Sequence, residues 1–171
     1  MIQIQNALVQ IVKRCRVSSS SEQHAFVAES GDRLTGFTVV FPELRIGRSV
    51  AVRATALGMT VLAHDAFPNE TFAQEHGVQL VDLDTLLAQS DYLTIHCPLN
   101  DDTQGLFNGK TLAKMKAGSV LINTARGPLV VEADLIDALE AGQLYGAGLD
   151  VFEQEPIDPQ NKLLQMDQVV S

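Results

Sequence analysis

Short, almost uninterrupted apolar runs recur along this chain, and helical patterns separate them. Phe37–Phe41, Thr60–His64, Gln79–Val81, Tyr92–His96, Ser119–Asn123 and Leu144–Leu149 read as strands. Between them, Arg45 to Leu57 places Ile46, Val50, Ala54 and Leu57 on one helical face ahead of Gly58. Asn69 to His76 is a short helix closed by Gly77, Asp82 can cap a helix running to Gln89, and Asn108 can cap one reaching about Lys116. Glu132 to Ala141 aligns Leu135, Ala138 and Leu139 before Gly142. Strands that are apolar throughout, rather than alternating, are those buried on both faces. Strand–helix alternation at this spacing predicts an α/β fold: a doubly wound parallel sheet with helices on each side.

The N-terminal stretch differs. Ile4, Ala7, Leu8, Ile11, Val12 and Cys15 recur at helical spacing, and the serines at 18–21 then break the pattern. The chain thus divides into an N-terminal helix over 1–17, a polar loop over 18–36 with a short helix around Gln23–Glu29, and an α/β domain over 37–171. From Phe152 the tail reads as a proline-containing loop ending in Leu163-Leu164 and Val169-Val170. At 171 residues, 46% of them hydrophobic, one core of ordinary size is within reach.

A net charge of −9 argues against a broad basic face for nucleic acid or an anionic membrane. Two cysteines, Cys15 and Cys97, make neither a disulfide scaffold nor a metal cluster, so a reduced, cytoplasmic setting with no metal is the expectation. No apolar run approaches the roughly 18 residues that span a bilayer, and Gln3, Gln5, Asn6 and Gln10 interrupt any secretory core at the N-terminus.

In an open parallel sheet, ligands bind beyond the carboxyl ends of the strands. The residues to inspect are therefore Pro42–Gly47, Asp65, His96-Cys97-Pro98, Thr124-Ala125-Arg126-Gly127 and Asp150–Pro156. A dinucleotide turn needs three glycines, for the tight turn, for approach to the pyrophosphate and for helix–strand packing. Only the third, Gly47, is present; Pro42 and Leu44 stand where the others would be. Asp65 follows Gly47 by 18 residues, about where an acid takes the adenosine ribose; the alternative is a strand-end residue that caps the next turn. Arg126, on a tight turn at the ligand end, can grip a carboxylate bidentately or simply lie on the surface of a capping loop. Glu155 can orient an imidazole or be a solvated loop acid. His96, at a strand end, fits cofactor contact better than proton transfer. His24, His64 and His76 read as surface or structural, and Cys97 as a small packed residue.

These segments resemble the nucleotide-binding domain of the NAD-dependent D-2-hydroxyacid dehydrogenases, the group that includes phosphoglycerate dehydrogenase. The likeness is dense from Arg45 to Val170 and rests on Arg45-Ile-Gly-Arg48, Gly58-Met-Thr-Val with Asp65, and Asp91-Tyr-Leu-Thr-Ile-His-Cys-Pro-Leu99. It continues in Thr103-Gln-Gly-Leu106, Ile122-Asn-Thr-Ala-Arg-Gly127, Ala138-Leu-Glu-Ala-Gly142 and Gly148-Leu-Asp-Val-Phe-Glu-Gln-Glu-Pro156. It implies a Rossmann-like three-layer sandwich and NAD as cofactor. It implies that Arg126 binds a substrate carboxylate and that Glu155 pairs with a catalytic histidine. Arg45, Ile46 and Gly47 would contact the pyrophosphate and Asp65 the ribose. His96, Cys97, Pro98, Thr124, Ala125, Arg126 and Asp150 would line the cofactor, with Asp150 near the nicotinamide.

The departures are as specific. The glycine turn carries Pro42, Glu43 and Leu44, adding bulk and negative charge where a pyrophosphate should meet backbone. The family's catalytic histidine segment is expected just past Ser171, and its substrate domain is expected to be missing from this chain. The resemblance therefore implies hydride transfer between a small 2-hydroxyacid or 2-oxoacid and NAD in a complete enzyme, with the helix over 1–17 as a homodimer arm. For the chain by itself, the alternative is a catalytically inactive NAD-binding or dimerising module.

Overall fold

A computed structural model describes residues 35–40 and 45–171 of the chain. The helix expected over 1–17 and the short helix near Gln23–Glu29 lie outside the described residues. Along the described chain run β1 (Thr35–Val40), α1 (Arg45–Ala56), β2 (Thr60–His64), α2 (Glu70–His76), β3 (Gln79–Leu80), α3 (Leu83–Gln89) and β4 (Tyr92–Ile95). Then follow α4 (Gly109–Leu112), β5 (Ser119–Asn123), a 3₁₀ turn at Gly127–Leu129, α5 (Glu132–Glu140), β6 (Leu144–Leu149), a 3₁₀ turn at Lys162–Gln165 and β7 (Val169–Val170).

All strand pairs are parallel, in the order β3-β2-β1-β4-β5-β6-β7. β1 pairs with β2 on one side and β4 on the other, so the winding direction reverses at β1. Period-two alternation then sorts the helices. Val61 and Ala63 pack with Ala51 and Ala54 of α1 and Ala73 of α2, whereas Leu62 between them joins a second cluster. That second cluster holds Leu86 and Leu87 of α3, Leu112 of α4, and Leu135 and Leu139 of α5 against Leu93, Ile95, Leu121 and Ala147. Helices thus cover both faces, as the apolar runs required. The alanines of α1 let that helix lie close to the sheet.

Local chemistry sets most boundaries. Asn69 Oδ1 accepts from Phe72 N at 2.8 Å to start α2, and Gly77, at φ 66°, ends it. Asp82 accepts from Thr85 N at 2.8 Å and from Thr85 Oγ1 at 2.7 Å, bonds that draw its carboxyl below the usual range.

Three boundaries differ from the sequence pattern. β1 begins at Thr35, inside the expected loop, because Thr35 pairs with Thr60 across a register irregularity at Gly36. α4 stops at Leu112 instead of near Lys116: Lys114 N and Met115 N bond three residues back, and Lys116 N goes to Leu87 O. Val169-Val170 is a seventh strand, paired with Ala147 and Gly148.

Candidate cofactor and carboxylate site

Because every strand is parallel, all the strand-end candidates share one edge of the sheet. Asp65 follows β2, His96–Pro98 follow β4, Thr124–Arg126 follow β5 and Asp150 follows β6. From β2 to β6 there are four strand spacings, roughly 19 Å at about 4.8 Å each. The acids at 65 and 150 therefore mark the two ends of one shelf, with Arg126 beside the second.

At the β2 end, Asp65 Oδ1 accepts from Phe67 N at 2.9 Å, and the residue stays partly exposed. Arg45 opens α1, Ile46 is exposed and Gly47 is buried in its first turn. That turn holds no acidic residue, so the N-terminal amides and dipole of a twelve-residue helix favour an anion there. Ile46, Phe67 and Leu99 are large apolar side chains left exposed at this same edge. Such surfaces suit the flat, apolar parts of a ligand.

His96 and Cys97 are nearly sealed, at 3% and 1% exposure, so a ligand would meet their backbone and Pro98, which is exposed. Burial pulls the His96 imidazole down to about 4, leaving it neutral, with Nε2 3.1 Å from Thr94 Oγ1. Burial likewise pushes the Cys97 thiol up to about 11, so it is no thiolate.

At the other end the loops interlock. Asn123, 1% exposed, uses its amide twice: Oδ1 accepts from Ala125 N at 3.1 Å, and Nδ2 donates to Arg126 O at 2.9 Å. Its backbone O accepts from Asp150 N at 3.0 Å. Thr124 and Ala125 are half-buried, Asp150 is exposed, and Arg126 is exposed with Nη1 on Ala125 O at 2.6 Å. Gly127 then meets the next loop, where a Cβ would sit 1.7 Å from Phe152 O. Phe152 N donates to Glu155 Oε1 at 3.2 Å. Glu132 and Glu153 exchange backbone-to-carboxylate bonds at 3.0 and 2.6 Å, fastening that loop to the start of α5. Contact at Gly127 therefore puts the Arg126 loop against the loop that carries Glu155.

The arrangement offers an acid for a ribose, a helix start for a pyrophosphate, apolar contacts for rings and a guanidinium for a carboxylate. These residues fit a dinucleotide at both ends. Against a model of the D-isomer specific 2-hydroxyacid dehydrogenase NAD-binding domain, the chain matches over residues 7–171. The chain belongs to that family. Its fold agrees with that of a D-lactate dehydrogenase solved with NAD+ from Lactobacillus jensenii: 33% identity, TM-score 0.73, over 80% of this chain and 44% of the other. Among curated relatives, a hydroxypyruvate reductase of Blautia hydrogenotrophica is 49% identical over 120 residues, covering 70% of this chain and 37% of that protein. A D-3-phosphoglycerate dehydrogenase of Bacillus subtilis is 40% identical over 168 residues, covering 97% of this chain and 32% of the relative. The chain thus spans less than two fifths of the length of these two dehydrogenases.

Two features of this NAD-binding domain escape a reading of strand ends. Asn123 looks like the last residue of an apolar strand, and its polarity was the only signal that it holds a loop. Thr103 knots the loop after β4, with Oγ1 donating to Pro98 O at 2.7 Å and accepting from Asn100 N at 2.9 Å. Among the described residues there is no group of three or more metal-ligating side chains, and no helix is long and apolar enough to cross a membrane.

Proposed function

We propose that this chain is the cofactor-holding part of an oxidoreductase that interconverts small D-2-hydroxyacids and 2-oxoacids. The observation that carries the reading is the common edge: Asp65, the start of α1, Arg126 and Asp150 all follow strands of one all-parallel sheet whose winding reverses at β1. NAD, when bound, supplies the hydride acceptor. Arg45, Ile46 and Gly47 would hold its pyrophosphate and Asp65 its ribose. The backbone of His96–Pro98 and Thr124–Ala125 would line it, and Asp150 would sit beside the nicotinamide.

Arg126 would take the substrate carboxylate bidentately through Nε and Nη2, keeping Nη1 on Ala125 O. Glu155 would orient an imidazole and stabilise it as it takes the hydroxyl proton. His96 is sealed from the shelf, and burial weakens its basicity, so it suits that role poorly. In this reading a histidine and a substrate domain of the complete family enzyme supply the imidazole and the hydroxyacid specificity. The acidic balance supports a small-molecule ligand over nucleic acid or an anionic membrane. A cytoplasmic setting and a homodimer built through residues 1–17 belong to the same reading.

A second reading is favoured by Pro42 and Leu44, which stand in for two fingerprint glycines: a module that binds NAD weakly and turns nothing over. Calorimetric titration with NAD separates the two. The first reading expects a dissociation constant below 1 mM, on the order of that for ordinary metabolite sites. Pro42→Gly with Leu44→Gly should tighten binding at least tenfold. No heat at millimolar NAD from either form would overturn both.

A further inference from the structure

We infer that Asn123 is the positioning residue for the Arg126 guanidinium, an assignment that rests on the carboxylate-binding reading above. Residue Ala125 is held on both sides: its N–H donates to Asn123 Oδ1 at 3.1 Å, and its carbonyl accepts from Arg126 Nη1 at 2.6 Å. The Arg126 carbonyl takes Asn123 Nδ2 at 2.9 Å and Leu129 N at 3.3 Å. The resting guanidinium therefore lies on the carbonyl of the 125–126 peptide, and the Asn123 amide pins the peptide units on either side of it. The chain cannot relax past it, because Phe152 presses on Gly127. Asn123 itself is sealed in the sheet: it is 1% exposed, and it pairs with Ile95 and Leu149 on the flanking strands.

No other common side chain fills this role. The contact needs a donor and an acceptor on one short, planar group. Asn123→Asp keeps the acceptor for Ala125 N but turns a carboxylate oxygen toward the Arg126 carbonyl, breaking one bond and adding repulsion. Asn123→Ala removes both.

Oxalate is a suitable probe, being a carboxylate with an adjacent carbonyl oxygen and resistant to reduction. Titrate it into the full chain with NAD present, and titrate NAD separately. Asn123→Asp should lose at least tenfold in oxalate affinity, at least fivefold more than it loses for NAD. Combined with Arg126→Ala, it should be no worse than Arg126→Ala alone, since both changes remove one device. Equal losses for the two ligands, or additive losses in the double variant, would overturn the assignment and leave Asn123 a merely structural residue. Failure of the wild-type chain to take oxalate would count against carboxylate binding by Arg126, and proteolysis then tests the positioning claim independently. Trypsin should cut Arg126–Gly127 at least tenfold faster in Asn123→Ala than in the wild type, with other sites unchanged. An unchanged rate there would overturn the claim.

Discussion

Gly127 shows how one missing side chain joins two loops. Its Cβ position is taken by the Phe152 peptide, and backbone cannot swing away as a flexible side chain would. Gly127→Ala must push the 151–156 loop outward, stretching the Glu132–Glu153 bonds as well. The expected loss is about 3 kcal/mol or more, at the upper end of overpacking penalties. Urea unfolding reads it directly, and a loss under about 1 kcal/mol would mean that the loops part easily. His96 makes a second residue-level prediction. Burial holds its folded value near 4 against an ordinary value of 6.5. Above pH 6.5 it is neutral in both states and affects nothing. Between 6.5 and 4 the unfolded chain binds the proton first, so stability falls as pH drops, by about 3 kcal/mol in all. His96→Asn should flatten that part of the stability-versus-pH curve. An unchanged slope would assign the acid loss to carboxylates elsewhere.

At the scale of elements, the signals that worked were local. Asn69, Asp82 and Asn108 cap the helices that their sequence positions imply, and Gly77 and Gly142 take positive φ after helices. Asn108 illustrates the energetics. Its Oδ1 accepts from Lys110 N at 3.0 Å, Thr111 Oγ1 accepts from its own N at 2.9 Å, and its Nδ2 reaches Gly105 O at 2.8 Å. Asn108→Ala should cost about 1–2 kcal/mol by thermal or urea unfolding; no loss would mean that Phe107, buried beside it, anchors the turn without help. What could not be read depended on partners far along the chain. Val169-Val170 is too short to show a period and becomes a strand only because β6 offers it an edge. The 3₁₀ turn at Gly127–Leu129 starts at a glycine whose close neighbour is the distant Phe152 backbone, and Gly36 hid the start of β1. The site followed the same division. Asp65, Arg126 and Asp150 could be placed by the rule that parallel strands deliver ligand groups at their carboxyl ends. Asn123 could not, because a buried amide bonded to its own loop is indistinguishable in sequence from a strand residue.

Across the whole molecule, the shelf is electrostatically mixed. Asp65, Asp150, Glu153 and Glu155 lie along it, and the chain carries −9 overall. Arg126 and the start of α1 supply the opposing field at two points. In the proposed reading NAD would bring its pyrophosphate to the helix start and a 2′-phosphate would be placed beside Asp65, where like charges about 4 Å apart repel by roughly 1 kcal/mol in water and several in a protein surface. The chain should therefore prefer NAD to NADP by at least tenfold in calorimetric titrations at low salt, about 1.4 kcal/mol. Because this preference is repulsion, partly between exposed charges, salt should weaken it. Raising ionic strength from about 0.05 to 0.5 M shortens the screening length to a few ångströms and should narrow the ratio, mainly by easing NADP binding. Asp65→Ser should narrow it at every salt concentration and remove most of the salt dependence. A preference that widened with salt would mean that a cation such as Arg48, near the start of α1, already attracts the extra phosphate, and that Asp65 does not set the choice.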